Sequence, residues 1–249
     1  MGTGMRPLVA GNWKMNGLAS SLTELEVLKA ALAIEPAGAD VLVCPPFTLI
    51  AQAAQVAQSV FALGGQDCDA RPAGAHTGDI AAEMLKDAGA SYVIVGHSER
   101  RHSHGERDGD VAAKAQAAWR AGLTAIICIG ETESQRFSGD AHDICASQIT
   151  GSVPGQANAA NTVIAYEPVW AIGTGKTPTP AEIAQMHGHI RATLLRRLGP
   201  GAKAMRILYG GSVKPDNAAE ILNLPEVNGA LVGGASIKSD DFLRIIRAI

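Results

Sequence analysis

The chain has 249 residues, of which 47% are hydrophobic and 18% are charged, and its formal net charge is −3. This length suffices for the core of one large α/β domain. No apolar run approaches the ~18 residues of a membrane span, and no basic cluster indicates a nucleic-acid or anionic-membrane partner. The four cysteines lack CxxC spacing and no secretory signal precedes them, so we expect reduced thiols and a cytoplasmic location.

Eight apolar strand candidates recur along the chain, and a helical pattern follows each one. They span Leu8–Gly11, Asp40–Cys44, Val60–Gly64, Tyr92–Val95, Thr124–Ile129, Val163–Tyr166, Arg206–Tyr209 and Ala230–Val232. Such strand–helix units predict parallel strands. Eight of them, in a chain of about 250 residues, predict an α/β fold: an eight-stranded parallel β/α barrel that forms one domain over residues 1–249. An open doubly wound sheet is the alternative, although no GxGxxG follows the first strand.

Several helix boundaries have recognisable signals. Ser21 and Glu24 form a capping-box pattern for the first helix, Thr179 and Glu182 form another after the sixth strand, and Ser239 is the expected N-cap of the last helix. Glycines at the expected helix ends predict left-handed C-caps at Gly38, Gly89, Gly122 and Gly199. We expect residues 1–5 to be a disordered or cloning-derived extension.

Polar residues stand where several predicted strands end. Asn12 and Lys14 follow the first strand, His97 and Glu99 follow the fourth, and Glu167 follows the sixth. Each alone has an ordinary reading, such as a solvated surface charge or a hydrogen-bonded structural histidine. In a barrel, however, the carboxyl ends of all strands meet on one face, where catalytic residues are found. Together these side chains therefore predict an active site.

The chemistry of these groups suggests a reaction class. Glycine-rich ends of the seventh and eighth strands leave room for backbone N–H groups around an anion, and Lys14 adds a cation, so we expect a small phosphorylated ligand. A carboxylate base facing an imidazole and an ammonium group suits proton abstraction beside a carbonyl. His97 would lie at the start of a helix, which disfavours the imidazolium, so we expect it to act as a neutral donor.

Six motifs occur in an order that resembles one family along nearly the whole chain. They are AGNWKMNG, YVIVGHSERR, CIGET, AYEPVWAIGTGKT, YGGSVKP and LVGGASI. The sequence is similar to the triosephosphate isomerase family. The resemblance implies a TIM barrel that interconverts dihydroxyacetone phosphate and glyceraldehyde 3-phosphate without a metal or organic cofactor.

The resemblance also assigns roles to the residues at the strand ends. Glu167 would move a proton between two carbons through an enediolate, while His97 would polarise the oxygens and shuttle protons. Lys14 would offset negative charge, Asn12 would orient the oxyanion, and Glu99 would support Lys14 and His97. Cys128 matches a family cysteine near the site, but its ordinary reading is a small buried hydrophobe.

A substrate-binding set and a lid follow from the same resemblance. The backbone amides of Gly173, Ser212, Gly233 and Gly234 would hold the phosphate group. The lid that excludes water would comprise Pro168, Val169, Trp170, Ala171, Ile172, Gly173, Thr174, Gly175 and Lys176. Pro178 stands where the family commonly has Ala, and because proline restricts its own and the preceding backbone, we expect a stiffer hinge.

The family is usually a homodimer in which a loop enters the neighbouring subunit. Thr77 matches the residue that would steady the partner's Asn12 and Lys14. His76 and His104 replace aromatic residues that the family commonly has, which suggests the hypothesis that protonation weakens the dimer. Asp79 replaces a common Glu, so a family-like pair with Arg100 across the interface is in doubt.

Three other roles fit the sequence less well. His102 and His104 are spaced i, i+2, but no third ligand is evident, so no metal is expected. A Schiff-base aldolase with Lys14 as nucleophile would need a desolvated lysine, whereas Glu99 and a phosphate would keep it charged. A non-catalytic protein of the same fold would have no need for Lys14, His97 and Glu167 together.

Overall fold

The computed structural model describes residues 5–172 and 176–249, and these form a closed barrel of eight parallel strands. The strands are β1 (Leu8–Asn12), β2 (Asp40–Cys44), β3 (Ala62–Gly65), β4 (Tyr92–Val95), β5 (Thr124–Ile129), β6 (Thr162–Tyr166), β7 (Ile207–Tyr209) and β8 (Gly229–Val232). Each strand pairs with the next in sequence, and β1 pairs with β8. The predicted barrel is confirmed, and most predicted strand ends differ from the observed ones by no more than two residues.

Helices surround the barrel. Within the described ranges they are α1 (Leu22–Ile34), α2 (Ile50–Ala57), α3 (Ala82–Asp87), α4 (Ser98–Ser103), α5 (Asp108–Arg120), α6 (Glu133–Phe137), α7 (Ala141–Ser152), α8 (Pro180–Leu198), α9 (Ala218–Leu222) and α10 (Ser239–Ile246). None of these helices has both the length and the apolar character needed to cross a membrane. Residues 1–4 of the predicted N-terminal extension lie outside the described residues.

Alternation along the strands divides the apolar core into two layers. One set of side chains fills the interior of the barrel, and the other packs between strands and helices. The interior set is Leu8, Ala10, Leu42, Cys44, Ile94, Ile126, Cys128, Val163, Ala165, Leu208 and Leu231. Both faces of each strand are therefore buried, as a parallel sheet covered by helices requires.

The register brings the carboxyl ends of the strands to one face of the barrel. Asn12 pairs with Cys44 at the ends of β1 and β2, and Tyr166 pairs with both Ile129 and Tyr209 at the ends of β5, β6 and β7. Residues that directly follow these strands consequently meet above the barrel core. This geometry assembles the site from segments far apart in sequence.

The capping predictions had different outcomes. The box at Thr179 is confirmed: Glu182 N donates to Thr179 Oγ1 at 3.3 Å, and Thr179 N donates to Glu182 Oε2 at 2.7 Å. The box at Ser21 is wrong, because Glu24 instead accepts the N–H and the hydroxyl of Ser239, at 2.9 and 2.8 Å. Ser239 is the first residue of α10 rather than its N-cap, and Glu24 supplies the cap from α1.

Three of the four predicted glycine C-caps have left-handed backbone. The φ angles are 100° at Gly89, 74° at Gly122 and 79° at Gly199. Gly38 does not adopt a positive φ, so that prediction is wrong. Helix α1 already ends at Ile34, and its C-cap, Glu35, is extended.

Candidate active site

The polar strand ends line a cavity of about 260 Å³ at the carboxyl end of the barrel. Asn12, Lys14, His97 and Glu167 all face this cavity, which we call the front cavity. Its other walls are Ile172, Gly210, Gly211, Ser212, Val213, Lys214, Leu231, Gly233, Gly234 and Ala235. The structure thus brings together residues from β1, β4, β6, β7 and β8, as the strand-end argument predicts.

His97 and Glu167 are in direct contact. The Nε2 atom of His97 lies 2.8 Å from Oε1 of Glu167, and both side chains are buried. His97 is the N-cap of α4, where its Nδ1 accepts the N–H of Glu99 at 3.2 Å. Because an imidazolium has no lone pair at Nδ1, this hydrogen bond favours the neutral tautomer with its proton on Nε2.

Ser98 and the neighbouring strand fix Glu167. Ser98 donates to the carboxylate through its N–H at 2.9 Å and through its hydroxyl at 3.3 Å, and Glu167 N donates to Ile129 O at 2.7 Å. Gly130 allows this close approach, because a Cβ at that position would lie 1.7 Å from Glu167 O. The catalytic candidate is therefore held at both its backbone and its carboxylate.

The charges of His97 and Glu167 depend on each other. Burial opposes ionisation of Glu167, but the His97 imidazole and the Ser98 N–H outweigh it, so the pKa of Glu167 lies below its ordinary value. Burial also opposes the charged form of His97, but the Glu167 carboxylate outweighs it and raises the pKa of His97. The second shift requires Glu167 to be ionised, and it disappears when Glu167 takes up a proton.

Lys14 has a left-handed backbone, with φ of 54°. Its N–H donates to Asn12 Oδ1 at 3.0 Å, and its carbonyl accepts Gln66 Nε2 at 2.8 Å. The ammonium group lies 2.5 Å from Glu99 Oε1. A lysine in this backbone region is uncommon and costs energy. The hydrogen bonds that Lys14 donates to Asn12 and accepts from Gln66 hold this conformation, which turns the ammonium group toward the front cavity.

The part of the predicted lid that is described begins with Pro168 and a 3₁₀ turn at Val169–Ala171. Trp170 Nε1 donates to Glu131 Oε1 at 2.8 Å, and the Arg136 guanidinium lies 5.1 Å from the Trp170 ring centre. Ile172 lines the front cavity. Gly173, Thr174 and Gly175 lie outside the described residues.

The far end of the lid contacts α6 and leads into α8. Lys176 forms an ion pair with Glu133, and the Thr179 cap begins α8 directly after Pro178. Both described ends of the lid therefore contact the segment around α6.

The residues predicted for the dimer contact lie away from the front cavity. Thr77 is exposed and His76 is partly buried. Asp79 lies 3.8 Å from Arg71, whereas Arg100 pairs within its own chain with Asp67 at 2.8 Å. His102 and His104 are exposed. Within residues 5–172 and 176–249, no group of three or more metal-ligating side chains occurs.

Three residues that contribute to the site are absent from the sequence prediction. Gln66 directly follows β3 and Ser98 follows β4, so the strand-end rule could have found both. Glu131 is fully buried and accepts Tyr166 Oη at 3.1 Å in addition to Trp170. Cys128 is a buried residue of the barrel interior, and burial raises the pKa of its thiol.

The closed parallel barrel, with a carboxylate, an imidazole and an ammonium group at its carboxyl end, defines a β/α-barrel enzyme. The family model described as triosephosphate isomerase matches residues 7–249. The chain therefore belongs to the triosephosphate isomerase family.

Individual relatives agree with the family match. A triosephosphate isomerase of Chelativorans sp. (strain BNC1) is 60% identical over 98% of this chain and 97% of its own length. One from Bradyrhizobium diazoefficiens is 58% identical, with the same coverage. The crystal structure of triosephosphate isomerase from Bartonella henselae superimposes with a TM-score of 0.92 at 48% identity, covering 98% of this chain and 99% of the other.

Family membership gives the activity. The chain is an aldose–ketose isomerase that interconverts dihydroxyacetone phosphate and glyceraldehyde 3-phosphate, a step of glycolysis. Its substrate is accordingly a phosphorylated triose.

Proposed function

We propose that Glu167 is the base of this isomerase and that His97, Lys14 and Asn12 stabilise the enediolate it forms. The observation that carries the proposal is the 2.8 Å contact between His97 Nε2 and Glu167 Oε1 in a cavity that Lys14 also lines. A base and an oxyanion donor on the same small cavity suit proton transfer between adjacent carbons. Glu99 supports both partners, since its N–H binds His97 and its carboxylate binds Lys14.

The reaction begins when Glu167 removes a proton from the carbon next to the substrate carbonyl. The electron pair of the broken C–H bond moves into the C=C bond of the enediolate, and negative charge develops on oxygen. His97 Nε2–H, the Lys14 ammonium group and the Asn12 amide donate to that oxygen. Glu167 then returns the proton to the neighbouring carbon.

Proton uptake by Glu167 also supports a neutral His97 during the reaction. The carboxylate charge that raises the pKa of His97 is then neutralised. The Glu99 N–H continues to occupy Nδ1. A neutral imidazole can donate its Nε2 proton to the oxyanion and recover it from the neighbouring hydroxyl group.

The phosphate group would bind opposite the carboxylate. Ser212, Gly233 and Gly234 line the front cavity, and their backbone amides, with that of Gly173, are the proposed donors. The lid would cover the substrate and keep water from the enediolate. As the lid closes, Glu167 must give up its hydrogen bonds to Ser98 to reach the substrate. Pro178 would limit the hinge of the lid to fewer conformations.

A coupled isomerase assay tests the assignment. We expect Glu167→Gln to lower kcat by about a thousandfold or more, because general-base catalysis contributes 10²–10⁴-fold. Glu26→Gln, an exposed change on α1, is the matched control and should retain activity. Full activity in Glu167→Gln would overturn the assignment, and borohydride trapping at Lys14 would favour the aldolase alternative.

We propose a cytoplasmic homodimer as the working form. Met15 is 97% exposed beside Lys14, and a second open cavity of about 560 Å³ is lined by Met15, Phe47 and Gln66 together with His97 and Lys14. A partner's loop around His76 and Thr77 would cover this surface. Sedimentation at pH 7.5 should show a dimer, and a monomer at that pH would refute the dimer proposal. An unchanged dimer at pH 5.5 would refute the hypothesis that protonation of His76 and His104 weakens the dimer.

A further inference from the structure

The wall of the front cavity contains a second lysine. Lys214 follows β7, and the whole segment of residues 210–214 lines this cavity. The other charged side chains of the described wall are Lys14 and Glu167. Lys214 has no part in the proton transfer, so its position in the wall needs a different explanation.

Asn217 and Ala218 hold the backbone of Lys214. Lys214 N donates to Asn217 Oδ1 at 2.8 Å, and Lys214 O accepts the N–H groups of Asn217 and Ala218 at 3.2 and 3.0 Å. Asn217 Nδ2 also donates to Ser212 O at 3.1 Å, so one side chain fixes both Ser212 and Lys214. Because the Lys214 N–H is already bonded, the ammonium group is the donor that Lys214 can offer to a ligand.

The ammonium group of Lys214 forms no ion pair within residues 5–172 and 176–249. Lys214 is exposed, and the acid nearest to it in sequence, Asp216, pairs instead with Arg244 at 2.9 Å. Lys14 differs, because its ammonium group already contacts Glu99 Oε1 at 2.5 Å. The flexible side chain of Lys214 can therefore bring an unpaired positive charge to a ligand in the cavity.

The charges around the front cavity show what this group adds. Glu167 is ionised near neutral pH, since its pKa lies below the ordinary value, and a phosphate group carries between one and two negative charges there. Lys14 supplies one positive charge, which it shares with Glu99, and the chain as a whole has a net charge of −3. A further cation close to the phosphate consequently strengthens its binding.

We propose that the Lys214 ammonium group contacts the substrate phosphate and strengthens substrate binding without taking part in proton transfer. The inference rests on the proposed phosphate site at Ser212, Gly233 and Gly234, which line the same cavity. The contact is electrostatic, and no covalent bond forms or breaks. Since the phosphate is the same in the bound substrate and in the enediolate, the contact should lower KM and leave kcat unchanged.

Lys214→Met tests the contact in the coupled assay. We expect KM to rise by about fivefold while kcat stays within about twofold of wild type, because a charge pair open to solvent contributes modestly. Lys214→Arg restores a cation and should return KM to near the wild-type value. Lys203→Met is the matched control, since Lys203 is exposed in the turn before β7 and its loss changes the net charge equally. Equal KM values for Lys214→Met and Lys203→Met would overturn the proposal.

Two probes show whether the effect acts through the phosphate group. Inorganic phosphate should inhibit Lys214→Met about fivefold more weakly than it inhibits the wild-type enzyme. Glyceraldehyde lacks the phosphate group, so kcat/KM for its isomerisation should be the same in both enzymes. An unchanged inhibition constant, or an equal loss of activity with glyceraldehyde, would contradict a contact between Lys214 and the phosphate.

Gly234→Asp separates this proposal from the phosphate site on which it rests. A Cβ at Gly234 would meet no atom within 4 Å, so the fold accommodates the side chain and a carboxylate joins the cavity wall. The variant should raise KM and weaken inhibition by phosphate by about tenfold or more, because the added charge repels the phosphate group. Unchanged values in Gly234→Asp would refute the phosphate site itself, whereas unchanged values in Lys214→Met alone would refute only the role of Lys214.

Discussion

Two regions of the molecule bury charge in different ways. The active-site rim consists of the front-cavity residues Asn12, Lys14, His97 and Glu167, whose polar groups have protein partners but also face a cavity. In the α8 seam, which we define as His187, Arg191, Ala202, Glu226 and Asn228, the arginine is enclosed by acceptors. Its Nε and two Nη atoms bond Glu226 Oε2, Ala202 O and Asn228 Oδ1, at 2.8, 2.6 and 2.9 Å.

The difference indicates what each region does. A buried charge surrounded by acceptors stabilises the arrangement that pairs it, and removing one partner costs several kcal/mol. A charge left facing a cavity can instead interact with a substrate that arrives later. Lys14 even retains a left-handed backbone at that position. We therefore expect changes in the rim to affect turnover and changes in the seam to affect folding.

The largest expected effect is on catalysis at Lys14. Lys14→Met should lower kcat/KM by about a thousandfold, roughly 4 kcal/mol of transition-state stabilisation. The ion pair it breaks is partly exposed, with 27% and 55% of the two side chains accessible, so the free energy of unfolding should change little. Urea unfolding measures the free energy of unfolding and the coupled assay measures kcat/KM, with the exposed Lys86→Met as control. A large loss of stability with intact turnover would show that Lys14 stabilises the fold rather than the transition state.

The converse is expected at Arg191. Arg191→Ala removes three hydrogen bonds from a buried site, including the ion pair to Glu226, and should lower the free energy of unfolding by about 3 kcal/mol. Turnover per folded molecule should remain near wild type. Arg196→Ala, on the exposed side of α8, should change stability by no more than about 0.5 kcal/mol. Equal effects of the two substitutions would contradict the assigned role of the seam.

His187 should make the seam sensitive to acid. Burial lowers the pKa of His187 from 6.5 to about 4, so the unfolded chain binds a proton in a range where the folded protein does not. Stability from this residue is complete above pH 6.5 and falls as the pH falls, by about 2 kcal/mol at pH 5. His187→Gln should have a flatter dependence of unfolding free energy on pH than His102→Gln. If the unfolding free energies of the two variants depend on pH in the same way, His187 is not the source of the acid sensitivity.

The smallest effect is expected at the contact between α1 and α10. Glu24→Gln removes the charge that accepts from Ser239 and from Lys238 Nζ, and should cost about 1 kcal/mol, as for other helix caps. Glu26→Gln, on the same helix, is the control. A cost as large as that of Arg191→Ala would show that burial is not what separates the seam from the surface.

Sequence predicted the barrel because its signals are local. Strand apolarity, the Thr179–Glu182 box and the left-handed glycines depend on neighbouring residues, and they are observed except at Gly38. The Ser21–Glu24 pattern misleads because the true partner of Glu24, Ser239, lies 215 residues away in the sequence.

The candidate site shows the same difference between local signals and long-range contacts. Strand ends located Lys14, His97 and Glu167, but not the geometry between them. Gln66 follows a strand end and could have been predicted from its position, whereas Glu131 is recognisable only from what it bonds across the fold, a tyrosine hydroxyl and the Trp170 ring of the lid.

The bond between Glu24 and Ser239 joins the first and last helices of the ring. On the ribosome, residues near position 24 emerge long before those near position 239. The Glu24 carboxylate therefore has no Ser239 partner until nearly the whole chain has been synthesised. Neighbouring strand–helix units assemble without this hydrogen bond. Completion of the ring is consequently a late event, because β1 can pair with β8 only after residues 229–232 have been synthesised.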